Sequence, residues 1–286
     1  MAGAGAACGQ GGANQSAESE HGSLAEVGAK LSNPVSDVWA LFTEFDLTLS
    51  DGELNHGYQK VGGRMIFQPM LPLPLYGRGQ KRWKLVTRPI IPILFSQPVP
   101  KAFDDFNNLG GIGSIQLPMM VSPPTGKLLL AVGPTWMFPA ANRSAFGQDQ
   151  WGVGPAFITG YFSKKWIAGL FPQYTFGIGD PKDADKSISS LSALYFFVYN
   201  LPRAWQVGFN PTISYDKNAA SNANKNIPVG LIVAKTTKFG KTPVKFQAGM
   251  EYSVVSQIPF GQRFQVKVNL IPVMPSLIKK PLLGGR

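Results

Sequence analysis

Residues that support metal, redox or hydrolytic chemistry are scarce in this sequence. A single cysteine, Cys8, can form no disulfide within the chain. Two histidines, His21 and His56, are too few for a zinc site and leave a serine nucleophile without an evident base. We therefore predict that the protein is not an enzyme and binds no metal ion or cofactor, with a membrane-embedded hydrolase as a distant alternative.

Two acid-rich segments are the remaining places where a cation could bind. The segment "DPKDADK" at 180–186 brings three aspartates close together, and "FDDFNN" at 103–108 contains two. The first lacks the glycine and the terminal glutamate of an EF-hand loop. We expect both segments to be solvated loops, and a calcium-binding loop is the alternative.

Charged residues and long apolar runs are also scarce. Charged residues make up 15% of the chain, against about 25% in typical soluble domains. No apolar run reaches the roughly 18 residues that a membrane helix needs. The net charge of +11 comes from scattered lysines and arginines. Because there is no arginine-rich tract and no nucleic-acid-binding motif, we expect no nucleic-acid partner.

Alternation of apolar and polar residues is what the sequence has in abundance. It is most regular in "AWQVGFNPTISYD" at 204–216. The apolar parity there contains Trp205, Val207, Phe209, Pro211, Ile213 and Tyr215. Successive side chains of a strand point to opposite faces, so one face is apolar and the other polar. The apolar face would meet a core in a soluble sandwich, but lipid in an outer-membrane barrel.

Twelve such segments follow one another from about Val38 onward. Their approximate spans are 38–48, 63–73, 81–95, 111–121, 127–138, 150–161, 165–176, 188–199, 204–216, 226–236, 242–255 and 261–273. Soluble strands usually have about 5–6 residues, whereas membrane strands need about 9–11. The gaps between the segments alternate between short and long, as in a barrel with tight turns at one rim and long loops at the other.

We therefore predict an all-β fold, a transmembrane antiparallel up-and-down β-barrel of about twelve strands. The predicted regions are a flexible N-terminal leader (1–30), the barrel (31–275) and a C-terminal tail (276–286). The leader lacks the basic and apolar regions of a secretory signal, so a signal would have been removed from this sequence. The stretch "AGAAC" before and at Cys8 is similar to a lipid-attachment site, and a linker of small residues is the alternative.

The tryptophans support a membrane barrel. All six lie on the apolar parity of the predicted strands: Trp39, Trp83, Trp136, Trp151, Trp166 and Trp205. Several lie near a strand end, where membrane barrels carry a girdle of aromatic rings. We predict that these rings face lipid, and the aromatic core of a soluble sandwich is the alternative.

Prolines occur inside the predicted strands, where their missing N–H removes a ladder hydrogen bond. Six of them share the apolar parity: Pro69, Pro89, Pro134, Pro155, Pro172 and Pro211. Pro118 and Pro228 fall on the other parity. Outward prolines that recur at a similar depth predict bulges or a kink aligned around the barrel wall.

Several motifs resemble one bacterial family. They include "LSNPVSDVWALF", "QPMLP", "RPIIP", "LLLAVGPTWMFPAA", "QWGVGPAFITGYFSKKWIAGLFPQYTFGIGD", "FNPTISYD" and "IPVGLIVAKTTKFGKTPVKFQAGMEY". Over roughly 31–274 the chain resembles the neuromedin-U-like transporters, which are related to outer-membrane proteins of the MetA pathway of phenol degradation. The resemblance implies an outer-membrane barrel involved in solute passage and no catalytic residues. The chain departs from many outer-membrane barrels at its end, where "PSLIKKPLLGGR" replaces a final aromatic residue.

Charged residues on the polar parity of the strands would point into the barrel. The basic ones are Arg64, Arg82, Lys84, Arg88, Lys245, Arg263 and Lys267, and the acidic ones are Glu44, Asp46 and Glu251. They predict a basic wall that concentrates anions. The alternative is that these side chains pair with one another and plug the lumen.

The sequence thus predicts a channel or transporter for small anionic or aromatic solutes in the outer membrane of a Gram-negative-type bacterium. The expected partners are membrane lipid and small solutes, with an envelope protein or a second copy of the chain as further candidates. Twelve strands lie between the filled eight-stranded barrels and the open channels of sixteen or more. A closed barrel with a structural role in an envelope assembly is therefore the main alternative.

Overall fold

The computed structural model describes residues 23–180 and 187–283. Its strands, in chain order, are β1 (Trp39–Asp51), β2 (Lys60–Tyr76), β3 (Trp83–Thr87), β4 (Ile91–Ala102), β5 (Asp105–Ile112), β6 (Ile115–Ser122), β7 (Leu128–Phe138), β8 (Trp151–Phe162), β9 (Trp166–Ile178), β10 (Ser189–Asn200), β11 (Trp205–Phe209), β12 (Thr212–Asp216), β13 (Lys225–Phe239), β14 (Thr242–Val255) and β15 (Gly261–Met274). Within the described ranges, an α-helix, α1, spans Leu24–Leu31, and 3-10 helices lie at Glu53–Asn55, Gly79–Lys81 and Pro202–Ala204. In the described part of the chain, no helix has the length and apolar character needed to cross a membrane.

The strands form one antiparallel sheet that closes on itself. The first strand, β1, pairs with β15 on one side and with β2 on the other. Three pairs of strands, β3 with β4, β5 with β6 and β11 with β12, each make a single crossing of the wall. The described residues therefore form a closed barrel of twelve crossings. This confirms the predicted fold class, and the strand positions agree with the predicted segments to within a few residues at most ends.

The outer surface of the barrel is apolar because each strand presents its apolar parity outward. In β13 the exposed fraction of Leu231 is 63%, whereas that of its neighbour Ile232 is 3%. Large apolar side chains are likewise exposed along β1, β7, β14 and β15. An apolar belt of this size is what the hydrocarbon of a bilayer covers. The alternation seen in the sequence is thus the alternation between lipid and lumen.

The prolines interrupt the ladder, although less uniformly than predicted. The wall is broken at Pro89, between β3 and β4, and at Pro211, between β11 and β12. Pro134 and Pro155 lie directly opposite each other, and the β7–β8 register passes through them without a shift. The prediction of a bulge at these two positions is therefore wrong. Proline has no N–H, so Pro155 cannot donate a ladder hydrogen bond. The ladder is interrupted on the β9 side of this residue, where the β8–β9 pairing skips Pro155.

One predicted long loop is a hairpin instead. The sequence predicts a long loop at 96–110, between the segments 81–95 and 111–121, but β4 continues to Ala102 and β5 begins at Asp105. The turn between them is two residues long, with Asp104 at a positive φ of 56°. The sequence hid this hairpin because Pro98 and Pro100 interrupt its alternation, and they lie opposite Asn108 and Phe106.

Helix α1 packs inside the barrel, although the sequence placed it in a flexible leader. The Ser23 hydroxyl accepts a hydrogen bond from the backbone N–H of Glu26, whose carboxylate accepts one from the N–H of Ser23, both at 3.3 Å. This capping box fixes the start of the helix. The apolar side chains of Val27 and Leu31 then pack against Ala40, Ile271 and Val273 of the wall. The N-terminal segment from Ser23 onward therefore belongs with the barrel, while Cys8 and His21 lie outside the described residues.

The predicted C-terminal tail contacts the short-turn rim of the barrel, at the end of β2. The backbone N–H groups of Leu282 and Leu283 donate to the carbonyls of Pro74 and Leu75, at 2.9 and 2.8 Å. Those carbonyls lie on the part of β2 that extends beyond its pairing with β1. The tail thus satisfies backbone acceptors at an otherwise open strand edge.

An arginine at the middle of the outer belt tests whether the belt faces lipid. We expect Leu231→Arg to lower the free energy of unfolding by roughly 2–4 kcal/mol, the cost of a cation on the lipid face near the bilayer midplane. Phe239→Arg, at the rim end of the same strand, is the matched control and should cost at most about 1 kcal/mol. Equilibrium refolding from urea into lipid vesicles measures both values, and equal small losses would contradict a lipid-facing belt.

Candidate solute site in the barrel lumen

A polar cavity of about 450 Å³ occupies the part of the lumen nearer the long-loop rim. Its walls carry mostly amide and hydroxyl side chains, among them Gln68, Gln116, Gln173, Ser192 and Thr212. These residues come from the inward parity of strands on opposite sides of the barrel. The cavity can therefore hold water or a small solute that forms hydrogen bonds with several walls at once.

Buried ion pairs neutralise most of the charge around this cavity. The Arg64 guanidinium donates to the Asp46 carboxylate at 2.7 Å. The Lys267 ammonium pairs with the Glu251 carboxylate, and both side chains are almost fully buried. The Glu44 carboxylate accepts a hydrogen bond of 2.9 Å from the Asn269 amide. Arg64 and Lys267 are therefore paired with acidic side chains inside the lumen, which is the alternative to a basic wall.

Arg88 lies where the polar cavity meets a smaller cavity beneath it, and we refer to this position as the neck of the lumen. It follows β3 directly, at the break that Pro89 makes in the wall. Its guanidinium carbon lies 5.0 Å from the centre of the Phe42 ring, which is cation–π geometry. Within the described part of the chain, its Nε has no hydrogen-bond partner.

Below the neck, the N-terminal segment fills the lumen. Val35 belongs to an apolar cluster with Val86, Met120, Ile158 and Phe196, whose side chains come from several strands. With α1 packed beside this cluster, the lower lumen has the character of a protein core. The segment therefore closes the barrel near the short-turn rim.

Two lysines of the wall hold this segment in place. The Lys84 ammonium donates to the Val35 carbonyl. The Lys245 ammonium donates to the Ser32 hydroxyl at 2.7 Å. That hydroxyl in turn lies 3.3 Å from the Gln206 amide oxygen. We refer to residues 23–38 as the plug, because they occupy the lumen and are bonded to the wall.

Besides Lys84, two of the predicted basic residues line neither cavity. Arg82 precedes β3 at the short-turn rim, where it is half-buried. Arg263 forms an ion pair of 3.0 Å with Asp51 at the long-loop rim. The prediction that Arg263 lines the lumen is wrong because the β1–β15 register shifts between Leu49 and Ser50. Such a bulge reverses which parity faces inward.

The tryptophans fall at the two rims of the wall. Trp136 and Trp151 lie near the long-loop rim, and Trp83, Trp166 and Trp205 begin strands at the short-turn rim. All of these are exposed except Trp166, which is half-buried. The centre of its ring lies 5.3 Å from that of Tyr161 and 6.2 Å from that of Phe197.

Trp39 differs from the other tryptophans. The exposed fraction of this residue is 8%. Its indole N–H donates to the Pro72 carbonyl at 2.9 Å. The prediction that Trp39 faces lipid is therefore wrong, because its ring closes the junction of β1 and β2.

Residues of catalytic or metal-binding type do not assemble in the described part of the chain. His56 lies in a loop of the long-loop rim, where its ring meets the edge of Phe103 at 4.7 Å between ring centres. The described residues contain no group of three or more histidine, cysteine or acidic side chains that could hold a metal. Asp104 and Asp105 belong to the β4–β5 hairpin, whereas 181–186, most of the other acid-rich segment, lies outside the described residues.

Neither the protein-family models nor the curated proteins include a match to this chain. Among solved structures, the chain is similar to the COG4313 outer membrane channel from Pseudomonas putida F1, with a TM-score of 0.61 and 12% identity over 83% of this chain and 96% of that chain. The toluene transporter TodX from Pseudomonas putida gives a TM-score of 0.41 and 11% identity over 86% and 92% of the two chains. Outer membrane phospholipase A from Escherichia coli gives 0.40 and 12% identity over 86% and 99%.

These similarities identify the fold as an outer-membrane β-barrel and nothing finer. The identities are too low to carry function, and the two lower TM-scores carry no argument. The resemblance to neuromedin-U-like transporters stays a prediction, because no family model matches.

The buried pair of Lys267 and Glu251 gives a test of the lumen geometry. We expect Glu251→Gln to destabilise the protein by about 3–5 kcal/mol, because it leaves a buried ammonium without its counter-charge. Adding Lys267→Met to that variant should restore most of the loss. Asp105→Asn, which breaks the exposed pair with Lys101, is the control and should cost less than about 1 kcal/mol. Urea unfolding in lipid vesicles measures all three, and equal losses for the buried and exposed pairs would contradict this geometry.

Proposed function

We propose that this protein is a channel of the bacterial outer membrane that admits small hydrogen-bonding solutes into its lumen from the long-loop side. The observation that carries the proposal is the polar cavity of about 450 Å³ inside a closed barrel with an apolar outer face. A barrel built only as a membrane anchor has no need of a solvated lumen of this size. In barrels of this type the long loops face outside the cell and the short turns face the periplasm.

The chemistry of the lining favours polar solutes over hydrocarbons. Amides and hydroxyls that point into the cavity would be left without partners beside an apolar solute, at a cost for each group. Arg64 with Asp46 and Lys267 with Glu251 form internally paired charges. Arg88 and Glu44 are the other charged residues among the described residues that line the cavity.

The plug sets the resting state of the channel. Because residues 23–38 fill the lumen beneath the neck, a solute can cross the barrel only when the plug shifts or leaves. Gly28 lets α1 approach β13 closely, since a Cβ there would lie 2.6 Å from the Thr236 hydroxyl oxygen. A larger side chain at this position would separate the plug from β13.

The second candidate function is a structural barrel that conducts nothing. The observation that favours it is the same plug, which is packed like a protein core rather than like a loose gate. The two functions differ in what happens when the plug is displaced.

A conductance measurement in planar lipid bilayers separates them. We expect the wild-type protein to conduct weakly or in rare events, and Gly28→Leu to give frequent, larger openings because the helix no longer seats on β13. Ala25→Leu changes the exposed face of the same helix and is the matched control, with conductance like that of the wild type.

The outcome that contradicts a channel is equally clear. If Gly28→Leu inserts as a folded barrel, shown by its heat-modifiable migration in gels, and still conducts no ions, the structural role stands instead. Large, permanent openings of the wild-type protein would contradict the closure by the plug.

A further inference from the structure

A second, smaller cavity of about 60 Å³ lies between the polar cavity and the plug. It shares Arg88, Leu194 and Asn210 with the cavity above, and the plug contributes Leu31, Ser32 and Pro34 to it. Most of its remaining wall is apolar. A solute that passed the neck would meet this cavity next.

Two cations line the small cavity, and no acid is among the described residues that line it. One is Lys245, whose exposed fraction is 2%. Its ammonium has three hydrogens to donate, and the Ser32 hydroxyl takes one of them. Burial of an ammonium beside apolar groups is costly unless an opposite charge or several acceptors compensate.

The other cation is Arg88. Its charge rests on the face of the Phe42 ring, and its Nε has no hydrogen-bond partner within the described residues. Arg64 and Lys267 of the polar cavity differ in this respect, since each pairs with a carboxylate. The polar cavity above the neck carries the acids Glu44 and Glu251, whereas the described residues that line the small cavity below it include these two cations and no acid.

We propose that the small cavity binds one small monovalent anion, a halide or a short carboxylate, between the Arg88 guanidinium and the Lys245 ammonium. Such an anion would supply a negative charge that the lining of the small cavity lacks among the described residues, and it would accept hydrogen bonds from both groups. A guanidinium presents its donors in a planar fork that suits a carboxylate. The apolar walls strengthen both contacts because they exclude water.

The volume of the cavity sets the size of the ligand. A water molecule takes about 30 Å³ of the liquid, so the cavity has room for a halide or for a carboxylate as small as formate. A larger organic acid would have to keep its body in the polar cavity above the neck. As a route for solutes, this site rests on the proposed channel function, because the anion enters through the polar cavity.

Crystals of the detergent-purified full chain grown in sodium bromide test the proposal directly. We expect an anomalous bromide peak within contact distance of the Lys245 ammonium and the Arg88 guanidinium. Lys245→Met keeps an unbranched side chain of nearly the same length and removes the charge, so the peak should disappear. Lys238→Met removes an exposed lysine of β13 away from both cavities, and there the peak should remain.

Formate titration by calorimetry covers the case in which a variant does not crystallise. We expect Lys245→Met and Arg88→Gln each to weaken binding by roughly tenfold or more, the effect of losing one charge-assisted hydrogen bond. Wild-type crystals without bromide at this cavity would overturn the proposal. A bromide peak in a barrel that never conducts would uphold the anion site and overturn the channel, whereas conduction without the peak would do the reverse.

Discussion

Closure of the hydrogen-bonded ladder is the constraint on which the rest of this structure depends. Hydrocarbon offers no partner to a backbone N–H or carbonyl, so a sheet that lies in lipid must leave no open edge. The pairing of β1 with both β15 and β2 meets this requirement. Closure then sends one parity of each strand to lipid and the other to the lumen, and it lets prolines break the ladder at only a few places.

A barrel of twelve crossings leaves a lumen too wide for wall side chains alone to fill. This chain fills it in two ways. Above Arg88, amides, hydroxyls and paired charges surround a polar cavity. Below it, the plug supplies the apolar core, and Lys84 and Lys245 bind its backbone and hydroxyl groups. The two halves meet at Arg88, which borders both the polar cavity and the small cavity beneath it.

The wall could be predicted from the sequence because alternation is a local property of each strand. The segment predicted at 226–236, for example, is Lys225–Phe239 in the structure. The partners of the lumenal charges could not be predicted, since pairing of Lys267 with Glu251 depends on the register of β14 with β15. The bulge that turns Arg263 away from the lumen is equally non-local. The plug did leave a local signal, the capping box of Ser23 and Glu26, which the small residues before it obscured.

A nitroxide scan along β13 in lipid vesicles tests the central claim, that one parity meets lipid and the other the lumen. Cys8 is replaced by serine, and single cysteines at 229–234 are labelled in turn. The account predicts that collision with dissolved oxygen peaks at Val229, Leu231 and Val233 and falls at positions 230, 232 and 234. Uniform accessibility along the strand, or a peak on the opposite parity, would contradict it.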